Sequence, residues 1–384
     1  MTTLSASTPE LQLVELTDDL QSMAETVAAV VRSQSPAERV AAVADGPEEY
    51  DEPLWRTLAV DLGVTGVLVP EEYGGLGMGW AEARVVLAEL GRGLACVPFL
   101  SSCVVAVSVV LESNDAAAAA AILPGVAEGS SIVAVALGDD RLLPALGSSA
   151  VAARTGADGG WQLSGVQPFV VDGIAADRIL LLGRTDNGAH GWFLVEAGAG
   201  GLTRTTMEVV DPTRPQATLT LDGVTARLIG DLGTCDDLVA PALDALVVGT
   251  GCEMAEASRH LLDLTIVYAT TRYQFGQPIG SFQALQHRLA DLAIMIDTSV
   301  SAVEYAIASA VHHPERLREA ASIAGFVCTE AFYQAALETI QVHGGIGFTW
   351  EHQAHRYYRR ALASRALLGT PAVHRERLMQ SLSL

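Results

Sequence analysis

Hydrophobic spacing divides the chain into three parts. In "LQLVELTDDLQSMAETVAAVVRSQ", starting at Leu11, apolar residues recur at helical intervals. "EPLWRTLAVDLGVTGVLVPEEYGGLGMGWAEARVVLAELGRGLA" then reads as a helix, a Gly/Pro-rich loop and a further helix. Asp115 is placed to cap an alanine-rich helix that Pro124 and Gly125 are expected to stop. The texture changes near Ser130. "SSIVAVAL", "GWQLSGVQPFVV", "DRILLLGR", "HGWFLVEA" and "ATLTLDGV" are short runs of strand composition, separated by turn residues such as Asp-Gly and Asn-Gly. From Asp236 the helical period returns and holds almost to the C-terminus. The pattern predicts a mainly α protein with a central antiparallel β domain: a helical domain over 1–128, a β domain over 129–235 and a helical bundle over 236–384. No repeat of fixed period is present.

Composition narrows the chemistry. With 384 residues, half of them hydrophobic, the chain is long enough for more than one compact unit. A formal net charge of -22 argues against recognition of nucleic-acid phosphates and against an anionic membrane surface. No apolar run approaches the roughly 20 residues of a bilayer span, so no membrane segment is expected. The chain contains no lysine; all 23 cationic side chains are arginine. Schiff-base chemistry, pyridoxal phosphate attachment and a P-loop are thereby excluded. Cys96, Cys103, Cys235, Cys252 and Cys328 stand singly, which argues against a zinc knuckle or dithiol site. Their odd number and the polar N-terminus lead us to expect a cytoplasmic protein without a bound metal.

Two glycine-rich stretches imitate a dinucleotide fingerprint and fail it. The run through Gly198, Gly200 and Gly201 has Thr203 where the last glycine belongs, and "GGIGFT" after His343 has the wrong spacing. The stretch "RYQFGQPIGSFQ", from Arg272 to Gln283, is richer than a helix connection requires. Arg272 follows a long helical pattern, where a cation complements the helix dipole. Beside it stand Phe275, Phe282, Gln274 and Gln283, with Gly276 and Pro278 shaping the backbone. Guanidinium pairs bidentately with phosphate, aromatic rings cover a planar group, and amides serve its polar edges.

"RYQFGQPIGSFQALQHRLADL" closely resembles the signature of the acyl-CoA dehydrogenase family. "LGVTGVLVPEEYGGLG" resembles the family's N-terminal loop and "QVHGGIGFTWEHQAHRYYRRA" its C-terminal segment, in the family's order of helical, β and helical domains. The resemblance implies FAD as cofactor, in a site shared between subunits. Arg272 would meet the pyrophosphate. Gln274, Phe275, Phe282 and Gln283 would line the adenosine and ribityl region, and Gln341, Gly344 and Gly345 would come from a neighbouring subunit. The implied reaction is α,β-dehydrogenation of an acyl-CoA thioester, with an electron-transfer flavoprotein or equivalent as acceptor.

The resemblance also exposes departures. The family's catalytic carboxylate often precedes Gly-Thr near the C-terminus; here that position is Leu368, before Gly369 and Thr370. Other members carry the base on the helix before the arginine loop, where this chain has Leu246, with Asp244 two residues away as the remaining candidate base. The usual Thr-Glu-Pro strand end is missing from "VALGDDRLLPALGSS", and Gln167 stands in place of a usual lysine. Together these imply half of a heteromeric dehydrogenase, a heterotetramer with a homologous second subunit. Such heteromers include enzymes for bulky acyl-CoAs such as steroid side chains. The alternatives are a self-sufficient homotetramer using Asp244, a non-catalytic acyl-CoA-binding scaffold, and a flavin oxidase on the same fold.

Overall fold

The computed structural model describes residues 13–15, 17–137, 149–156 and 159–382. The first helix, α1 (Asp18–Gln34), begins where the Thr17 hydroxyl accepts from the Leu20 amide and two aspartates occupy the first turn, the arrangement that satisfies free N–H groups and suits the helix dipole. Next come α2 (Ala37–Ala44) and α3 (Glu52–Arg56), which runs into a π-helical turn over Thr57–Asp61. After the Gly/Pro-rich loop stand α4 (Trp80–Arg92), a fully buried π-helical segment at Phe99–Ala106, α5 (Val107–Glu112) and α6 (Ala116–Ala127). Asp115 caps α6 by accepting from the Ala118 amide at 2.8 Å. Pro124 does not stop this helix, contrary to expectation. It lies in the final turns, where its missing amide removes a single ladder bond, and Val126 beyond it is fully buried.

Among the described residues seven strands follow: β1 (Val133–Ala136), β2 (Ala152–Thr155), β3 (Trp161–Val171), β4 (Arg178–Thr185), β5 (His190–Glu196), β6 (Leu202–Thr206) and β7 (Gln216–Gly233). Pairings β4–β2, β2–β3, β3–β7, β7–β5 and β5–β4 close a ring, with β6 laid along β7 and β1 beside β4. The sheet is mixed rather than purely antiparallel, because β1 and β2 both run parallel to β4. Local patterning carries no record of these non-local neighbours. Strands β2 and β6 are further additions; both are short, and β6 ("LTRTT") is polar and largely exposed. The stretch without Thr-Glu-Pro falls mostly on residues 138–148, outside the described residues.

The C-terminal domain is built on α7 (Cys235–Thr271), 37 residues long and capped by the Thr234 hydroxyl. A two-residue hairpin, β8 (Tyr273–Gln274) and β9 (Gln277–Pro278), leads to α8 (Gln283–His312), then α9 (Leu317–His343), α10 (Ala354–Leu368) and α11 (Pro371–Ser381). On length and composition alone, α7 and α8 are apolar enough to cross a membrane, which sequence reading did not anticipate; 83% of the apolar window of α7 is buried inside the protein, and 44% of that of α8. Helix α7 is the spine, with α4, α8, α9 and the Phe99–Ala106 segment packed on it. Its approach to α4 is close: a Cβ added to Gly91 would sit 2.4 Å from the Glu253 Cα.

A buried ionic cluster fastens the β domain to the bundle. Arg360 of α10 donates through Nε to Asp211 Oδ2 at 2.5 Å and through Nη2 to Thr213 Oγ1 at 2.6 Å. Arg214 donates to Glu253 of α7, whose carboxylate also lies 3.8 Å from Arg360 Nη1. All four charged residues are nine-tenths or more buried. Nearby, Asp172 at the end of β3 accepts from Ser101 of the π-helical segment at 2.5 Å, and burial pushes its carboxyl up to about 6.

Candidate functional site: an outward-facing cofactor surface

The hairpin between α7 and α8 turns at Phe275 and Gly276, whose φ values are +54° and +83°. Positive φ at both central residues gives the turn the hand that matches strand twist, and it projects Phe275 into solvent, 90% exposed. Phe282 meets Phe275 edge-on with ring centroids 6.2 Å apart. Arg272, the C-cap of α7, has its amide bonded to the Tyr268 carbonyl and its own carbonyl bonded to the Ile279 amide. Its guanidinium is exposed and bonded to no described residue. Gln274 folds back on the Tyr273 carbonyl, and Gln283 is the first residue of α8, where the backbone amides have no partner within the helix.

The second group of predicted residues lies at the end of α9. Gln341, Gly344 and Gly345 are exposed. Gly344 terminates the helix at φ +62° and ψ −137°, a region that a side chain opposes. Gly345 has no such conformational demand, and a Cβ on either glycine would meet nothing within 4 Å. The chain's own packing therefore gives no reason for glycine at 345; close approach by a ligand or a second chain gives one. We expect Gly345→Ala to leave the thermal melting of the cofactor-free chain unchanged while lowering FAD content in the assembled protein. Gly344→Ala should lower both, the first by roughly 1–3 kcal/mol of backbone strain. Melting curves paired with flavin absorbance separate the two.

The two groups are joined from beneath, a link that sequence reading missed. Tyr268, whose carbonyl holds the Arg272 amide, stacks on His343 at 4.3 Å between centroids and 26° between planes; His343 in turn lies 4.4 Å from His352. His343 Nδ1 is bonded to the Thr339 carbonyl, so that nitrogen carries the proton, and His352 Nδ1 accepts from the Ala354 amide. Burial keeps both imidazoles below their ordinary pKa. Phe348 and Trp350 beyond the glycines are 74% and 72% exposed, with Arg356 and Arg359 over the Trp350 ring. The aromatic run "GFTW" was the available signal.

The candidate base positions look different. Leu368 closes α10 and is fully buried; Leu246 is 6% exposed. Both belong to the apolar core that includes Phe99, Leu100 and Val104 of the π-helical segment. Gly249, one turn along α7, is in such close contact that a Cβ would lie 2.6 Å from Leu100 Cδ1. Asp244 is buried and committed: Arg377 of α11 donates to its Oδ1 at 2.6 Å, and Arg318 stands 4.0 Å from its Oδ2. Burial raises its pKa, opposed by Arg377. Gln167 is buried, with its Nε2 turned onto the Pro168 carbonyl. The glycines near 198–201 form the turn between β5 and β6. Among the described residues, no group of three or more metal-ligating side chains is assembled.

Residues 17–130 match the model of the acyl-CoA dehydrogenase N-terminal domain and residues 241–383 that of the C-terminal domain. This chain belongs to the acyl-CoA dehydrogenase family, whose cofactor is FAD. It is 33% identical over 360 residues to acyl-CoA dehydrogenase IpdE2 of Mycobacterium tuberculosis, covering 92% of this chain and 94% of that protein. It superposes on a chain of the ChsE4–ChsE5 complex from Mycobacterium tuberculosis with a TM-score of 0.86 at 29% identity, covering 96% of this chain and 98% of the other. A chain of a Tcur3481–Tcur3483 steroid ACAD variant gives a TM-score of 0.85 at 30% identity, covering 96% and 99%. The unpaired Arg272, the open glycines and the solvent-facing Phe275 fit FAD: they offer a cation, a close backbone approach and a ring face.

Proposed function

We propose that this chain is the subunit of a heteromeric, FAD-dependent acyl-CoA dehydrogenase that donates part of the cofactor site and leaves the catalytic carboxylate to a homologous partner. The observation that carries this reading is the contrast between two sets of positions. Residues suited to FAD face outward and unpaired, whereas the base positions hold Leu368 and Leu246 in the core, and Asp244 is held by Arg377. Bound flavin supplies a hydride acceptor for the β-hydrogen of the thioester. Arg272 would bind the pyrophosphate, the hairpin aromatics would cover the adenosine and ribityl portion, and Gly344 and Gly345 would let backbone reach the cofactor. The partner would supply the carboxylate that takes the α-proton, and an electron-transfer flavoprotein or equivalent would serve as electron acceptor. Because two similar solved structures carry paired names, one of them a steroid ACAD, a bulky acyl-CoA such as a steroid side-chain thioester is the substrate class to test first.

Purified alone, the chain is expected to carry little FAD and to show no bleaching by acyl-CoA; co-purified with a homologous chain that has a glutamate at the base position, it should carry flavin and turn over. One FAD per lone chain, bleached by an acyl-CoA, would sink the proposal. Asp244→Asn adds an independent arm. If Asp244 serves only its ion pair, the variant loses stability by unpairing Arg377 and keeps the turnover of the assembled enzyme; loss of turnover in a fully folded variant restores the homotetramer reading.

A further inference from the structure

Three segments of the cofactor face converge on one column of rings. Tyr268, in the last turn of α7, holds the start of the hairpin through its carbonyl, which accepts from the Arg272 amide at 2.9 Å. Its ring stacks on His343, and its hydroxyl donates to the His343 carbonyl at 3.4 Å. His343 is the last residue of α9, one position before Gly344. His352 closes the other end. The loop over 344–351 leaves the column at His343 and returns to it at His352, 4.4 Å away between ring centroids. The arginine hairpin and both ends of the glycine loop therefore share one support.

The support is anchored below. Thr265 Oγ1 donates to Thr339 Oγ1 at 2.9 Å, one turn beneath Tyr268 on α7 and His343 on α9. Both threonines are fully buried. The Thr339 carbonyl accepts from His343 Nδ1 at 2.7 Å. A close-packed seam between two long helices resists displacement, so the column passes a fixed spacing to loops that face solvent. His343 is 4% exposed, whereas Arg272, Gly344 and Gly345 are exposed. The column thus lies behind the surface that meets a ligand.

We propose, on the FAD reading above, that Tyr268 and His343 are positioning residues: they hold the Arg272 hairpin and the Gly344–Gly345 loop at the spacing at which both reach one FAD. Two loops without this tie spend part of their time out of register, and apparent affinity falls by the fraction of time lost. The worth of one aromatic pair corresponds to roughly 2- to 12-fold in that fraction.

The test is a double-mutant cycle on FAD dissociation from the assembled protein, read by flavin fluorescence on dilution. Tyr268→Leu should weaken binding by roughly 2- to 12-fold. Tyr268→Phe keeps the ring and should restore most of the loss. In an Arg272→Ala background Tyr268→Leu should cost almost nothing more, because no guanidinium is left to align with the glycine loop. A side chain that only stabilises the fold would lower the melting of the cofactor-free chain and leave the two losses additive. Where Tyr268→Leu fails to fold, His343→Leu against His343→Phe reads the same contrast from the other side of the stack. Full additivity with Arg272→Ala, or a Tyr268→Phe loss as large as that of Tyr268→Leu, overturns the positioning role and leaves Arg272 in the site. An Arg272→Ala variant that binds FAD like wild type overturns the FAD reading itself, and the positioning role with it.

Discussion

Arg272→Ala is expected to weaken FAD binding to the assembled protein by roughly 10- to 150-fold while leaving the melting of the cofactor-free chain unchanged. The separation follows from the side chain's position. Its guanidinium is exposed and has no partner within the chain, so removing it breaks no internal bond. Its loss is felt only where phosphate oxygens are present. Hydrogen bonds to a charged group contribute about 1.5–3 kcal/mol each, and about 1.4 kcal/mol is tenfold in affinity. Arg272→Lys should recover only part of the loss, because an ammonium keeps the charge and forfeits the planar fork. Flavin fluorescence on dilution of the holoprotein measures the constant. Equal affinity in wild type and Arg272→Ala would remove this residue from the site.

The largest loss of stability is expected from Arg360→Met. This substitution keeps most of the side-chain volume and removes the cation that faces Asp211 and Glu253 in the interior. Breaking a buried pair from one side leaves an uncompensated charge and costs about 3–5 kcal/mol. Urea denaturation followed by circular dichroism should report a loss in that range. Replacing Asp211 by Asn in the same chain should return part of it, since the stranded carboxylate is then gone. A loss below about 1 kcal/mol for Arg360→Met alone would show that water reaches the cluster.

The helices and most strands were legible because each buries one regular stripe. Arg272, Phe275, Gln341 and Gly345 stood out in the sequence for the opposite reason, and the structure leaves all four exposed, at positions where the chain's own packing gains little from them. What sequence did not reveal is non-local. The parallel placement of β1 and β2 against β4 depends on a closed ring of strands, and Pro124 inside α6 on what the last turn buries. The stack joins Tyr268 to His343 and His352, 75 and 84 positions further along the chain, each an ordinary helical or loop residue alone. Asp244 could be found as a carboxylate near the right position, but its partner lies on α11, 133 residues away.

The surface that recommends the chain as a cofactor donor also makes it an awkward solitary molecule. Phe275, Tyr273, Phe348 and Trp350 are each more than 60% exposed, and together they leave large rings facing water on the same pair of loops. Exposed aromatic surface of this kind is an aggregation liability until something covers it. Under the proposed heteromeric assembly, newly made chains gain by meeting a counterpart early, and unequal synthesis of the two would leave the surplus to proteases and chaperones. On that proposal, two short loops would make matched dosage a requirement.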